Sequence, residues 1–216
     1  MPRLAAPAVT LLSLACGVLL GACATPVGYA SGTSVAERDS LHRSTVAPTV
    51  EPEASFIAHT VEVDIAVPPG RLLPWLVNVP LERILLGTEK IAGIERTDAL
   101  SPSWGSPGAR RRVVLRDGNT SLEELLVIEE DRRFQYVVWN FTNEARRAVQ
   151  YAVGEFRFTP TATGTHLSWT YRFRGNGWPT EGFLETFVAE DFAGYMQVGI
   201  RNIQAESERD LTALPN

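Results

Sequence analysis

Apolar and polar residues alternate along much of the chain after residue 56, and this period of two is typical of half-buried β-strands. In residues 61–67, Val and Ile alternate with Glu, Asp and Ala. Pro68-Pro69-Gly70 ends this first predicted strand. Apolar residues between Leu72 and Leu86 then recur at helical spacing, and Pro80 interrupts them, which predicts two short helices rather than one.

Six more strands are predicted downstream from alternation and from Gly, Pro and Asp breaks. They are residues 91–100, 109–116, 119–130, 134–142, 148–160 and 165–174. Between the second and third of these, Asp117-Gly118 is a signal for a two-residue hairpin turn.

A long helix is predicted over residues 180–211, with a charged C-terminal end. Its apolar stripe has a spacing of three to four residues and consists of Phe183, Phe187, Phe192, Tyr195, Met196, Gly199, Ile200 and Ile203. Strand, two short helices, six strands and a long helix form an α+β arrangement, in which the helix covers one face of an antiparallel sheet. One domain, residues 56–216, holds all of it.

Three segments carry a resemblance to a known superfamily. They are Ile65-Ala66-Val67-Pro68-Pro69 with Trp75, residues 111–118 followed by Glu123-Glu124-Leu125, and Gly164-Thr165-His166-Leu167-Ser168-Trp169. Over residues 56–209 the chain resembles the helix-grip superfamily of START, Bet v 1 and bacterial polyketide cyclase/dehydrase-like (SRPBCC) proteins. The resemblance implies a curved sheet gripping the C-terminal helix around an apolar ligand cavity.

Aromatic residues on the expected inner face of the sheet and on the helix are the candidate cavity lining. They are Tyr136, Phe156, Trp169, Tyr171, Phe183, Phe187, Tyr195 and Met196. The alternative is a closed core, since an aromatic stripe at this spacing most often belongs to a packed interior.

Arg111 and Glu124 are the candidate polar end of the cavity. With a two-residue turn at Asp117-Gly118, they lie opposite one another and both point to the apolar face, where pairing offsets desolvation. A purely structural ion pair and a bulge that turns both residues outward are the alternatives. His166 has the parity opposite to Leu167 and Trp169, so it is expected to face solvent.

The N-terminus has the pattern of an exported protein. One positive charge, Arg3, precedes an apolar run to Leu20 and small residues before Cys23, which indicates a secretory signal peptide over residues 1–22. Leu20-Gly21-Ala22-Cys23 resembles the lipobox of bacterial lipoproteins, which implies acylation of Cys23 and cleavage before it. An ordinary secreted protein cut near Ala22 and an uncleaved anchor are the alternatives.

Residues 23–55 are rich in Ala, Ser, Thr, Pro and Val without clear periodicity, so we expect a flexible tether between the lipid and the domain. Ala24 rather than Asp follows Cys23, and in the lipoproteins that this segment resembles that choice favours the outer membrane. The expected location is the periplasmic face of the cell envelope.

Charge and cysteine content narrow the chemistry further. The formal charge is −5, and −6 without the signal peptide, because Arg3 is the only charged residue before Cys23. This balance argues against nucleic acid as a partner. Cys16 leaves with the signal, so the mature chain keeps one Cys and no disulfide, and no spacing of Cys and His predicts a metal site.

No motif for nucleophilic, metal-dependent or phosphate chemistry is present, and no cofactor is expected. The leading hypothesis is therefore a non-enzymatic lipoprotein that binds a lipid or other small hydrophobic molecule. A cofactor-independent cyclase-, dehydratase- or hydrolase-type enzyme on the same fold is the second hypothesis. A structural or interaction module with a closed core is the third.

Overall fold

Seven antiparallel strands form one sheet in the computed structural model, which describes residues 35–52 and 56–212. The strands are Ile57–Ile65 (β1), Ile94–Ala99 (β2), Arg110–Leu115 (β3), Thr120–Glu129 (β4), Arg133–Trp139 (β5), Val149–Pro160 (β6) and Thr165–Gly175 (β7). Their order across the sheet is β1-β7-β6-β5-β4-β3-β2. All seven predicted strands are present, and the predicted α+β helix-grip fold is confirmed.

Two short helices follow β1, as predicted: Pro69–Asn78 (α2) and Leu81–Ile84 (α3). The first places Leu72, Leu73, Leu76 and Val77 in the core, and it ends where Val79 N–H bonds to Trp75 O, directly before Pro80. A proline cannot donate the next helical hydrogen bond, so the chain turns there and starts a second helix. A 3₁₀ turn, Glu144–Arg147, joins β5 to β6.

The C-terminal helix consists of Glu181–Phe187 (α4), a π-helical turn Val188–Phe192 and Ala193–Thr212 (α5). In α5 the buried residues Tyr195, Met196, Gly199, Ile200 and Ile203 recur every three to four positions, as the apolar stripe predicted. This stripe packs on the concave face of the sheet, where alternate β7 residues (Leu167, Trp169, Tyr171 and Phe173) are buried.

Polar contacts fix the end of α5 against the two short helices. Arg83 donates hydrogen bonds to Glu206 (Nη2–Oε2 2.7 Å) and to Asp210 (Nη2–Oδ2 2.7 Å). The indole Nε1 of Trp75 donates to the same Asp210 oxygen at 3.1 Å. The helix is thus held at both the apolar stripe and its charged end, and its position over the sheet is well defined.

A strap formed by residues 35–52 lies on the convex face of the sheet. It begins with the helix Val35–Ser44 (α1) and continues as an extended chain. Asp39 pairs with Arg112, Thr45 O accepts from Arg110 Nη1 at 2.6 Å, and Glu51 N–H bonds to the Tyr151 hydroxyl at 2.9 Å. The prediction of a tether without regular structure is therefore wrong for residues 35–44. The signal peptide and Cys23 lie outside the described residues.

No helix among the described residues is long and apolar enough to cross a membrane.

Candidate functional site

A cavity of about 110 Å³ lies between the concave face of the sheet and the C-terminal helix. Eight aromatic residues contribute to its wall: Tyr136, Phe141, Trp169, Tyr171, Phe173, Phe187, Phe192 and Tyr195. Phe192 sits in the π-helical turn, with its ring centroid 4.9 Å from Tyr171 and 4.8 Å from Phe173. A π-helical turn holds one residue more than the α-helical turn it replaces, and such turns often occur at functional sites. Here the turn brings the ring of Phe192 against two rings of the sheet.

The cavity continues into a wider groove of about 500 Å³ at the protein surface. Residues on the wall of both spaces are Ile91, Ala92, Leu115, Asn143, Ala145 and Phe187. The outer groove adds the polar and charged side chains of Lys90, Asp117, Asn119, Glu144, Arg146 and Arg147. A molecule in the inner cavity therefore has a route to solvent past an amphipathic rim.

A buried ion pair supplies the charge of the inner cavity. Arg111 on β3 and Glu123 on β4 are cross-strand partners, and Arg111 Nε donates to Glu123 Oε2 at 2.6 Å. Arg111 is 9% exposed and Glu123 is 6% exposed. Oε1 of Glu123 accepts no hydrogen bond within residues 35–52 and 56–212, and the carboxylate lines the cavity.

The predicted Arg111–Glu124 pair is wrong. Glu124 lies opposite Arg110 and accepts from its Nε at 2.5 Å on the convex face, where Arg110 also contacts the strap. Because residues on a strand alternate between faces, a shift of one residue in register exchanges Glu124 for Glu123.

The hairpin turn causes this shift. Gly118 N–H bonds to Leu115 O at 2.9 Å, and Leu115 N–H bonds to Asn119 O at 2.8 Å, so the loop has three residues instead of two. Gly118 has φ +81°, which suits the third position of such a loop. The Asp-Gly signal located the turn correctly and gave the wrong loop length.

Three tyrosine hydroxyl groups belong to the same cavity. Burial raises the pKa of Tyr136 and of Tyr195 well above the ordinary value, and the nearby charge of Glu123 raises both further. Burial also raises the pKa of Tyr171, with smaller effects of Tyr136 and Glu123. All three phenols therefore stay protonated at ordinary pH and remain hydrogen-bond donors.

Gly154 sets the position of the Tyr136 ring. Tyr136 lies across β6 at its cross-strand partner Gly154, and a Cβ atom there would be 2.2 Å from the Tyr136 Cζ atom. The ring thus occupies the space that any other residue at position 154 would fill. Trp169 adds another donor. Its buried Nε1 makes no hydrogen bond of good geometry among the described residues, but it lies close enough to the Tyr136 hydroxyl to oppose slightly the rise in the pKa of that hydroxyl.

The structure places the predicted lining residues in four different positions. Tyr136, Trp169, Tyr171, Phe187 and Tyr195 line the inner cavity. Phe156 and Arg111 border a further space of about 30 Å³, deeper in the core, that also contacts Glu123. Phe183 lines only the outer groove and is 61% exposed, while Met196 is fully buried in the core and lines neither the inner cavity nor the groove.

A ligand-binding role for these residues stays a prediction. Sequence reasoning missed Glu123 and the ring of Phe192 as cavity residues. The parity of Glu123 with the buried Leu125 was the available signal for the first.

His166 is partly exposed and contacts Asp64 (Nδ1–Oδ1 2.7 Å), away from the cavity. No group of three or more His, Cys, Asp or Glu side chains suited to a metal occurs in the described part of the chain.

Residues 57–208 match the sequence model of the family described as polyketide cyclase / dehydrase and lipid transport. The chain belongs to this family. No curated protein sequence matches it. The part of the chain that matches the family model includes the whole sheet and nearly all of the C-terminal helix. It therefore includes every residue that lines the cavity.

Solved structures of similar fold come from bacteria and plants. Protein MLL2253 from Mesorhizobium loti is 20% identical, with a TM-score of 0.53 over 71% of this chain and 98% of its own. TTHA0849 from Thermus thermophilus is 15% identical, with a TM-score of 0.54 over 72% and 99%. Major latex-like protein 151 from Panax ginseng is 14% identical, with a TM-score of 0.51 over 74% and 99%. At these identities the likeness establishes the fold alone.

Proposed function

We propose that this protein is an envelope lipoprotein whose helix-grip domain binds a small, mainly hydrophobic molecule. One observation carries the proposal: an aromatic cavity that holds a few converging polar groups and opens to solvent through a wider groove. Apolar pockets with a small number of placed polar groups are the usual form of a small-molecule site. The family description, which includes lipid transport, supports the same class of ligand.

The size of the inner cavity limits what enters it. A cavity of about 150 Å³ engineered in another protein holds benzene, so the inner cavity, at about 110 Å³, accepts a group no larger than a small ring or short chain. The remainder of a larger ligand then lies in the outer groove, against Phe183 and Phe187.

The polar groups favour an uncharged end on the ligand. An anionic group would be repelled by the Glu123 carboxylate at short range. A hydroxyl group satisfies both kinds of partner, because it donates to Glu123 Oε1 and accepts from a tyrosine hydroxyl or from Trp169 Nε1. The proposed ligand is therefore an apolar molecule whose buried end carries a hydroxyl or a similar neutral group.

The location belongs to the proposal as well. The lipobox-like Leu20-Gly21-Ala22-Cys23 supports acylation of Cys23 and attachment to a membrane of the envelope, with Ala24 favouring the outer membrane. A lipid-anchored domain with an apolar cavity is suited to taking up or carrying hydrophobic molecules near that membrane.

A cofactor-independent enzyme is the second candidate, and one observation favours it. Glu123 and three tyrosine hydroxyl groups converge in a cavity with access to solvent. In this scheme the Glu123 carboxylate removes a proton beside a carbonyl while a phenol donates a hydrogen bond to the enolate oxygen. In a dehydration, protonated Glu123 then returns the proton to the β-hydroxyl group, which leaves as water. In a cyclisation, the enolate carbon attacks a second carbonyl of the substrate, whose oxygen takes that proton.

Binding of a neutral fluorescent probe tests the proposal. The full-length chain is titrated with N-phenylnaphthylamine, and native mass spectrometry identifies any co-purified molecule. Val138→Phe places a ring in the inner cavity, and Val46→Phe adds the same ring at an exposed site on the strap. We expect loss of probe binding in the first variant and normal binding in the second.

Two results would contradict the proposal. One is a folded wild-type chain that neither binds the probe nor retains any ligand, which would favour a structural module. The other is full probe binding by a folded Val138→Phe variant. Since the added ring can destabilise the core, Tyr171→Phe serves as a second variant. It is titrated with the hydroxyl-bearing probe 1-naphthol, whose binding it should weaken. A bound compound that is chemically altered on release would favour the enzyme.

A further inference from the structure

A second recess lies at the surface on the far side of the Arg111–Glu123 pair. This outer cleft has a volume of about 340 Å³ and is separate from the groove that leads to the cavity. It is formed by the segment that joins α2 to α3 and by strands β2 and β3. Its lining is Val77, Asn78, Val79, Pro80, Glu82, Arg96, Thr97, Ala99, Trp104, Arg110 and Arg111.

Arg111 has unused hydrogen-bonding capacity at this cleft. A guanidinium group carries five N–H bonds, and Arg111 uses only Nε–H, which points to Glu123. Its terminal amino groups have no acceptor among residues 35–52 and 56–212. Both terminal nitrogens are reached by solvent in the cleft, since neither is a buried atom without a partner. An acceptor from outside the protein would therefore replace water at N–H groups that the protein itself leaves open.

Trp104 restricts the approach to this guanidinium. Its ring lies over Arg111 Cζ, 3.9 Å from the ring centroid, and covers one face of the group. A stacked guanidinium presents its N–H groups at the edge, in the plane that suits a carboxylate or phosphate. Trp104 and the apolar side chains of Val77, Val79 and Pro80 also keep this edge partly dry.

The other charges of the cleft are already paired. Arg96 contacts Glu95 and Asp98, and Arg110 contacts Glu124. Glu82 is the one acidic side chain in the lining, against three arginines. Because each of these arginines already has a carboxylate partner, the cleft has no excess of positive charge. What it offers an anion is the set of N–H donors that Arg111 does not use on Glu123.

We propose that the outer cleft is a binding site for an oxyanion, a carboxylate or a phosphate group, held at two oxygens by the terminal amino groups of Arg111. The apolar lining accommodates a short hydrocarbon part beside the charged group. This site does not depend on a ligand in the grip cavity. The same guanidinium holds Glu123, a wall residue of the grip cavity, through Nε and is itself part of the lining of the cleft.

Calorimetric titration of the full-length chain at low ionic strength tests the site. The probes are butyrate, inorganic phosphate and, as a spherical anion, chloride. We expect saturable binding of one butyrate or one phosphate per chain and no comparable binding of chloride. Butyrate alone indicates a carboxylate on an apolar tail, and phosphate alone indicates a phosphate ligand. Absence of saturable binding by both would overturn the proposal.

Paired substitutions at the cleft separate this site from general attraction to arginine. Ala99 is exposed in the lining, so Ala99→Glu and Ala99→Gln should both fold. The introduced carboxylate of the first competes for Arg111 and should weaken binding about 10-fold or more, since hydrogen bonds to charged groups contribute strongly. The second should bind within about twofold of the wild type. Equal binding by the two variants contradicts the proposal.

Arg111→Lys keeps the positive charge beside Glu123 and loses the two-oxygen geometry. We expect oxyanion binding to fall about 10-fold, whereas Arg96→Gln, at an exposed arginine of the same cleft, should change it little. If Arg96→Gln had the larger effect, the anion would be attracted by surface charge and not held by Arg111.

Discussion

Arg111 and Glu123 form the one cross-strand ion pair on the concave side of β3 and β4 in the described part of the chain, with 2.6 Å between Nε and Oε2. Both side chains are taken out of water, so each charge depends on the other. Removing one partner of such a pair costs about 3–5 kcal/mol, while replacing both by apolar residues of similar size is often close to neutral.

The first prediction therefore concerns Arg111→Met alone and together with Glu123→Leu. The single variant should lose about 3–5 kcal/mol in the free energy of unfolding, and the double variant should recover most of it. Urea unfolding followed by circular dichroism measures both. A double variant no more stable than the single one would mean that the pair does more than neutralise its own charges.

The second prediction tests the contact between Tyr136 and Gly154. Gly154→Ala would bring a methyl group into the Tyr136 ring, so the ring or the strand must move, at a cost of about 1–3 kcal/mol. Gly182→Ala is the control, because nothing lies within 4 Å of a Cβ there and α4 should gain from alanine. Thermal unfolding of the two variants should shift in opposite directions.

The third prediction concerns the strap and pH. Burial lowers the pKa of His42 from 6.5 to about 4, and the charge of Arg112 contributes in the same direction. His42 is therefore neutral when the strap is docked. A detached strap would bind a proton near pH 6.5, so docking is fully supported above that value and weakens as the pH falls towards 4.

Hydrogen exchange of residues 35–52 at pH 7.5 and pH 5 measures this effect. The wild-type strap should be less protected at the lower pH, relative to the core strands. His42→Gln removes the titrating group. In this variant the protection of the strap relative to the core strands should be the same at pH 7.5 and at pH 5. A wild-type strap with equal protection at both values would show that His42 does not control docking.

The fourth prediction concerns the lipid. Expression in a bacterial host with an alkyne analogue of palmitate should label the wild-type chain, and Cys23→Ala should abolish the label. Cys16→Ala is the matched control, since Cys16 lies within the predicted signal peptide and the variant should still be labelled. Labelling of Cys23→Ala equal to that of the wild type would contradict the lipoprotein proposal.

Hydrophobic periodicity predicted the fold because it reports directly on burial. The alternation in residues 165–174 gave β7, and the stripe on residues 183–203 gave the face of α5 that covers the sheet. These features depend on spacing alone, which a sequence displays. The cavity lining on the same elements followed from the same parity, as Trp169 and Tyr171 show.

The polar end of the cavity was beyond this reasoning because it depends on loop length. Whether Asp117-Gly118 closes a loop of two or three residues is decided by backbone hydrogen bonds at Leu115, and one residue of register decides which glutamate turns inward. Helix α1 was missed for another reason. Its sequence is weakly amphipathic, and the described contacts that fix it are polar ones to arginines of the sheet, such as Asp39 with Arg112.

If Cys23 is acylated as proposed, docking of the strap limits how far the domain can lie from the membrane. A chain freed from Cys23 to residue 56 would extend to roughly 110 Å at about 3.3–3.6 Å per residue. With α1, which begins at Val35, held on the convex face through Asp39, the chain from an acylated Cys23 to Val35 spans at most about 40 Å. This maximum span is close to the thickness of a bilayer with its headgroups. Release of the strap would lengthen it more than twofold without altering the grip.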